Sequence, residues 1–366
     1  MSRPTEICLE RSFFQDKESI LVTHGGLSLS LFRFPGGVEA VRLRNNRGEI
    51  VVLPFQGQQI WSCTFDERPL VMRSMFSQPV STREYLANYG AFVVHCGASA
   101  MGVPGDGDEH PLHGELPNAP YGSAFVELGE DENGLFLTVG GEYEHIVAFN
   151  YNYLARPRVT VHEGSSMLDL YMDITNRRHA EMELMYMMHI NFRPVDNGEL
   201  VYSARPSPEK VRVYVSIPAH MKPSKSLEEF KKFLEEVAKN PSLHHTLSPE
   251  KPFEPEMVMS ISFEEDSEGW AHSLQVQPDG YGSYISHRPS DLPFGIRWIS
   301  RSADQDALGL VLPATAEAEG YIKEKEKGNL VVLGSGETAQ YHTRAGLVTP
   351  SELNEVRGKI EAILKG

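Results

Sequence analysis

The chain has 366 residues, of which 40% are apolar and 23% are charged, the balance of a globular protein with a sizeable core. Its formal net charge of -16 repels phosphate backbones, which argues against nucleic acid as a partner. No apolar run approaches the roughly 18 residues that span a bilayer, and the N-terminal stretch MSRPTEICLERSFF lacks the apolar segment of a secretion signal. Cys8, Cys63 and Cys96 are too widely spaced for a disulfide framework or a zinc site. Together these features predict a cytoplasmic protein with no membrane partner.

Strand patterns follow one another from the first third of the chain. The first four are predicted at 27–34, 38–45, 49–55 and 58–65, with turn sequences such as FPGG and NNRG between them. In 38–45, apolar residues alternate with Glu39, Arg42 and Arg44. Such alternation is typical of half-buried antiparallel strands.

The strand pattern continues through most of the remaining sequence. Further strands are predicted within 124–131, 134–145, 146–164, 166–176, 181–192, 257–265, 272–287, 295–300, 307–315 and 329–349. The absence of a strand–helix–strand rhythm disfavours a doubly wound fold. The sequence therefore predicts an all-β sandwich of mostly antiparallel strands with a few peripheral helices.

Two segments have helical patterns. The first begins at Ser226, which forms a predicted capping box with Glu229, and ends before Pro241. The second begins after Thr349, with Pro350 at its first position. We expect one β-sandwich domain over residues 1–366, with a helical insertion near 203–256 and a C-terminal helix near 350–365.

Histidines in rigid or strand-end positions are the main candidates for a site. The stretch EHPLHGELPNAPY (109–121) presents His113 before Gly114 in a turn bracketed by prolines, with Asn118 following. In MMHINFRPVDNG (187–198), His189 ends a strand and Asn191 follows it. We also considered His95, within an alternating stretch, and Arg73, whose charge interrupts the apolar run LVMRSMF.

These pieces together resemble the aldose 1-epimerase (galactose mutarotase-like) superfamily, and in particular its uncharacterised bacterial epimerase-like branch. The similar segments are GGVEAVRLRNNRGEIVVLPFQGQQIWSCTF, LHGELPNAPY, MMHINF and LGSGETAQYHTRAGLV, in the family's order along most of the chain. The resemblance implies a β-supersandwich with a sugar-binding cleft across one sheet. It also implies an enzyme that interconverts the anomers of a cyclic sugar by general acid/base ring opening.

The resemblance implies roles for individual residues. His113 and His189 match the two active-site histidines, and Arg73 matches the substrate-binding arginine. The family's catalytic glutamate falls where this chain has Leu312, so we expect Glu317 or Glu319 to supply the base. From their positions, Asn118, Asn191 and His95 are further predicted substrate-binding residues.

The proposed reaction requires no metal and no cofactor, and its partner is a small-molecule sugar. Two other functions stay open. A cupin-like metal-dependent isomerase would use His110, His113 and Glu115, although residues three apart on a strand face opposite sides. A catalytically silent carbohydrate-binding or regulatory module would not need a catalytic glutamate, which would explain why leucine occupies position 312. The sequence does not name the sugar, and it leaves the oligomeric state open, with a homodimer among the states that it allows.

Overall fold

The structure, a computed structural model, describes residues 4–215, 224–251 and 253–365. The expected insertion near 203–256 therefore includes residues 216–223 and 252, which lie outside the described residues, as do residues 1–3 and 366 of the expected domain. The strands are β1 (Thr5–Leu9), β2 (Ser19–His24), β3 (Leu27–Arg33), β4 (Glu39–Arg44), β5 (Gly48–Val52), β6 (Ile60–Phe65), β7 (Arg68–Pro69), β8 (Val93–Ala98), β9 (Ser123–Asp131), β10 (Gly134–Val147), β11 (Tyr151–His162), β12 (Met167–Asn176), β13 (Met182–Ile190), β14 (Glu199–Tyr202), β15 (Val211–Val213), β16 (Met257–Ile261), β17 (Ala271–Val276), β18 (Gly282–His287), β19 (Phe294–Arg301), β20 (Asp306–Ala314), β21 (Val331–Leu333) and β22 (Thr338–Val348). The α-helices are α1 (Lys225–Lys239), α2 (Tyr321–Lys327) and α3 (Pro350–Lys365).

The strands form two sheets. The nine-stranded sheet has the order β1-β9-β10-β11-β12-β22-β18-β17-β14. The thirteen-stranded sheet has the order β15-β16-β19-β20-β13-β8-β6-β5-β4-β3-β2, with β21 beside β13 and β7 beside β6. Neighbouring strands of the described sheets are antiparallel, as the alternating sequence patterns predict. The all-β prediction is confirmed.

The main core lies between the two sheets. Val126, Val139 and Leu170 come from the nine-stranded sheet, and Met188 and Ile190 come from the thirteen-stranded sheet. Each of these side chains is at most 1% exposed. Since successive residues of a strand face opposite sides, the neighbours of Met188 and Ile190 point away from this core.

The helices pack at the periphery. In α1 the N-cap is Ser224, whose hydroxyl accepts from the Leu227 amide at 3.2 Å, so the helix begins earlier than the predicted cap at Ser226. At α3 the Thr349 amide donates to the Glu352 carboxylate at 2.7 Å, the capping interaction that the sequence predicts. Helix α2 was not predicted. Among the described residues, no helix combines the length and the apolar character needed to cross a bilayer.

Candidate functional site

The thirteen-stranded sheet has a second buried layer on the face turned away from the main core. On β13, Met185, Met187 and His189 face this layer, while Tyr186 and Met188 face the main core. The layer is largely apolar, and it comprises Phe32, Val38, Ala40, Val51, Leu53, Trp61, Met72, Tyr89, Ala91, Val94, Cys96, Met101, Met185, Met187, Ile296, Trp298, Ala307, Leu312, Ala314 and Ala316. His189 is therefore a polar group at the end of an apolar strand face.

His189 is only 4% exposed, and aromatic rings surround it. Its ring centroid lies 5.5 Å from that of Trp298 and 6.0 Å from that of Tyr89, both edge to face. Burial lowers the pKa of His189 to about 4, a shift that the side chain of Asn191 opposes. The imidazole is therefore neutral near pH 7.

A strained turn holds His113 over the same layer. His113 has φ +60° and Gly114 has φ +80°, so two consecutive residues are left-handed. The His113 amide donates to the Gly102 carbonyl at 3.0 Å, and its carbonyl accepts from the Gly97 amide at 2.9 Å. A Cβ on Gly114 would lie 2.3 Å from the carbonyl oxygen of Ala100, which explains why glycine follows the histidine.

The two histidines come together in space. Their ring centroids are 5.5 Å apart with an interplanar angle of 83°, and the ring of Tyr85 lies 5.0 Å from His113. Burial lowers the pKa of His113 to about 3, with a further contribution from the neighbouring His189. The Nδ1 atoms of both histidines, the Tyr85 hydroxyl and the Asn191 Oδ1 are buried without a hydrogen-bond partner. Such atoms are rare in folded proteins, so this group is a candidate for binding a polar ligand.

A carboxylate that was not predicted from the sequence is linked to this group through Trp298. Glu256 directly precedes β16 and faces the apolar layer together with Val258, two residues on. Its Oε2 accepts from the indole N–H of Trp298 at 2.6 Å. Burial raises the pKa of Tyr89 well above 10, and the charge of Glu256 adds to this shift. Strand alternation after Pro255 was the available signal, but the sequence could not tell which strands would be neighbours.

Glu317 and Glu319, the predicted bases, are held in an ion-pair network instead. The Glu317 carboxylate lies 2.9 Å from Arg212 and 2.8 Å from Lys327, and Glu319 pairs with the same two cations. Although burial alone would raise their pKa values, these cations hold the pKa of each carboxyl below its usual range. A carboxylate that is paired with two cations is a poor proton acceptor, so these contacts do not favour Glu317 or Glu319 as the base.

Arg73 and Asn118 have structural partners. Arg73 is exposed and donates to the carbonyl oxygens of Ala303 at 2.8 Å and Ser302 at 3.1 Å. Asn118 is 3% exposed, and its Oδ1 accepts from Gln59 at 3.0 Å and from other side-chain amides. The Arg73 guanidinium and the Asn118 amide oxygen, which were expected to bind substrate, therefore already have hydrogen-bond partners within the protein.

His95 and Asn191 lie on opposite faces of the sheet. His95 pairs in register with Met188, faces the main core, and bonds through Nδ1 to the Tyr186 hydroxyl at 2.7 Å. The sheet separates His95 from His189, so its position does not favour the predicted role of His95 in binding substrate. Asn191 is completely buried beside His189 and donates to the Ala91 carbonyl at 3.0 Å.

The residues of the metal-site alternative do not converge. The Glu115 carboxylate accepts from the Ser99 amide at 2.9 Å and the Tyr153 hydroxyl at 2.6 Å, and His110 bonds through Nδ1 to the Pro111 carbonyl. Within the part of the chain that the structure describes, the ligand atoms that come close enough in a group of three to hold one metal belong to Glu317, Glu319 and Glu324, and Lys327 forms ion pairs with all three. These contacts do not favour the cupin-like function.

Comparison with known proteins places the chain among sugar-epimerase-like folds. Residues 36–203 match the model of the family described as Domain of unknown function (DUF4432). No protein of curated function matches the chain. A crystal structure of a candidate aldose 1-epimerase from Klebsiella pneumoniae subsp. pneumoniae MGH 78578 superposes with a TM-score of 0.78 at 17% identity, covering 99% of this chain and 96% of that one.

Two further solved structures have the same architecture. A galactose mutarotase-like protein from Clostridium acetobutylicum matches with a TM-score of 0.59 at 10% identity, covering 89% of this chain and 100% of that one. A candidate aldose 1-epimerase from Escherichia coli K12 matches with a TM-score of 0.54 at 13% identity, covering 91% and 100%. At these identities the likeness establishes the fold, which is galactose mutarotase-like, and the resemblance read from the sequence is confirmed at that level.

Proposed function

We propose that this chain, with its galactose mutarotase-like fold, is an aldose 1-epimerase-like isomerase that interconverts the anomers of a cyclic sugar. The observation that carries the proposal is the pairing of His113 with His189, whose ring centroids are 5.5 Å apart. Each ring has a buried nitrogen without a hydrogen-bond partner. The names given to the Klebsiella and Clostridium structures support the same reaction class by analogy of fold.

The reaction needs one base and one acid on a single sugar. The base takes the proton of the anomeric hydroxyl while the acid protonates the ring oxygen, so the bond from C1 to the ring oxygen breaks and an aldehyde forms. Rotation about the C1–C2 bond and closure with the roles reversed give the other anomer. A positioned acid or base supplies roughly 10²–10⁴-fold each.

In this proposal Glu256 takes the part that the sequence resemblance gave to a glutamate at the position of Leu312. The Trp298 indole fixes its carboxylate from one side and leaves the second oxygen for the anomeric hydroxyl. His189, whose ring contacts the same indole, protonates the ring oxygen. His113 holds a sugar hydroxyl, and the unpartnered Oδ1 of Asn191 accepts from another.

Access to the site depends on Tyr85. Its ring lies 5.0 Å from His113 and 5.1 Å from Tyr89, and its hydroxyl is buried without a partner. A sugar that reaches the histidines must displace this ring. Its hydroxyls would then lie beside the imidazoles in place of this ring, and hydrogen bonds from them favour the protonated His189 that the acid step needs.

One observation favours a second function, a silent sugar-binding module. The position of the family's acid is occupied by Leu312, a 2% exposed member of the apolar layer. Polarimetry of freshly dissolved α-aldoses, combined with thermal shift on the same sugars, separates the two functions. Catalysed mutarotation of at least one aldose supports the isomerase, whereas a rise in melting temperature without faster mutarotation supports the binding module. If no aldose shows faster mutarotation or a rise in melting temperature, both functions are overturned.

A further inference from the structure

A hollow of about 340 Å³ lies on the outer face of the nine-stranded sheet, away from the proposed isomerase site. Its floor is formed by Thr138 on β10 and Thr160 on β11, which are paired in register with their hydroxyl oxygens 2.7 Å apart. The adjacent residues Leu137 and Val161 face the main core, so the two threonines lie on the outer face of the sheet, where Thr138 is 3% exposed beneath its longer neighbours.

Longer side chains around this short threonine pair create the hollow. Phe136 and His162 are cross-strand partners at one end, and Arg158 and Tyr171 are cross-strand partners at the other. Because the sheet register fixes these four positions, most of the lining is built into the strands, and the turn residues Glu132 and Asn133 complete it.

The polar side chains of the wall are already held in place. His162 lies with Nε2 3.0 Å from the Asp131 carboxylate. Asp169 accepts from His342 at 2.8 Å and from Arg344 at 3.1 Å. Side chains that are fixed before binding lose little conformational entropy when a ligand arrives, so the arrangement is preorganised.

The charges of the wall select the ligand class. The carboxylates of Glu127, Asp131, Glu132 and Asp169 line the hollow against the guanidinium groups of Arg158 and Arg344. Both arginines are already paired, with Asp173 and Asp169 respectively. A phosphorylated or carboxylated ligand would therefore meet excess negative charge. Among the described residues, the carboxylates of this wall do not come close enough to one another to hold a metal ion.

From this geometry we infer that the outer hollow is a second binding site, and that it takes a neutral saccharide. Sugar hydroxyls both donate and accept, which matches a floor of hydroxyls between carboxylate acceptors and N–H donors. The volume is that of a small-molecule site. The site uses no residue of the isomerase proposal, so either can fail without the other.

The test is isothermal titration of the full chain with maltotriose, cellotriose and xylotriose, and with glucose 6-phosphate as an anionic probe. Thr160→Phe fills the hollow. Its matched control is Thr175→Phe, because Thr175 also faces outward and pairs with a cross-strand threonine, Thr338, at 2.8 Å, but outside the hollow. We expect at least one trisaccharide to bind the wild type and Thr175→Phe equally, and Thr160→Phe about tenfold or more weakly.

Two further variants keep the test decisive. If Thr160→Phe does not fold, Glu127→Gln is expected to weaken the same binding about threefold or more, because it removes a charged acceptor from the rim. His189→Gln is expected to leave this binding unchanged. The inference is overturned if none of the three trisaccharides binds, if glucose 6-phosphate binds more tightly than they do, or if binding follows His189 and not the hollow.

Discussion

The imidazole rings of His113 and His189 meet nearly at right angles, with their centroids 5.5 Å apart, although one comes from a loop and the other from the end of β13. The loop histidine has a left-handed backbone, and the strand histidine points away from the main core. Both rings are neutral near pH 7 because burial lowers their pKa values. This pair is the structural basis of the proposed function.

The turn that presents His113 depends on Gly114. We expect Gly114→Ala to lower the free energy of unfolding by about 2 kcal/mol or more, because the new Cβ would meet the Ala100 carbonyl at 2.3 Å in a left-handed conformation. Gly122→Ala is the control, since its Cβ has no neighbour within 4 Å, and it should stay within about 0.5 kcal/mol. Urea denaturation measures both, and equal stabilities of the two variants would contradict this account of the turn.

The buried histidines predict how stability depends on pH. The pKa values of His189 (about 4) and His113 (about 3) lie below the roughly 6.5 of the unfolded chain. Between pH 6.5 and these values the unfolded state binds more protons, so the free energy of unfolding falls as pH falls. Each group contributes up to about 1.4 kcal/mol per pH unit.

Urea denaturation at a series of pH values between 7.5 and 5 measures this slope, and the range avoids most carboxyl titration. We expect constant stability above about pH 7 and a decline below it. In His189→Gln the free energy of unfolding should fall less steeply with falling pH, because one titrating group has been removed. An identical slope in the variant would contradict the assignment of His189 as a buried neutral imidazole.

The network around Lys327 is predicted to serve stability and not catalysis. Lys327 contacts Glu324, which is completely buried, at 2.8 Å, so Lys327→Met should lower the free energy of unfolding by about 3 kcal/mol. Glu319→Gln should leave mutarotation within about twofold of wild type, whereas loss of a catalytic base costs about 10²-fold or more. A large loss of activity in Glu319→Gln would restore Glu319 as the base.

The sequence predicted the sheets well because strand alternation is a local signal. It placed His113 and His189 as the leading histidines, since a proline-bracketed turn and a strand end are also visible locally. It did not establish the strand face of His95, whose neighbour Val94 faces the apolar layer while His95 itself faces the core. A shift of one residue along the strand decides which face a side chain occupies, and residues 91–98 are buried on both faces, so no exposed position reveals the alternation.

The missing acid could not be predicted for a different reason. Glu317 and Glu319 follow the strand that carries Leu312, so they were chosen as candidate bases because they are close to position 312 in the sequence. Their engagement with Arg212 depends on β15, which is separated from β20 by two strands in the sheet. Glu256 approaches His189 through Trp298 across neighbouring strands β16 and β19. Such long-range pairings are set by the fold and leave no local pattern.

The most direct measurement is anomer exchange by NMR magnetisation transfer in the wild type, Glu256→Gln and Glu254→Gln. Glu254 is an exposed glutamate two residues away, and glutamine at 256 still accepts from the Trp298 indole but cannot act as a base. We predict accelerated exchange of at least one aldose by the wild type and by Glu254→Gln, and a loss of roughly 10²–10⁴-fold in Glu256→Gln. Full activity in Glu256→Gln would contradict the assignment of the base, and no acceleration of any aldose by the wild type would contradict the isomerase itself.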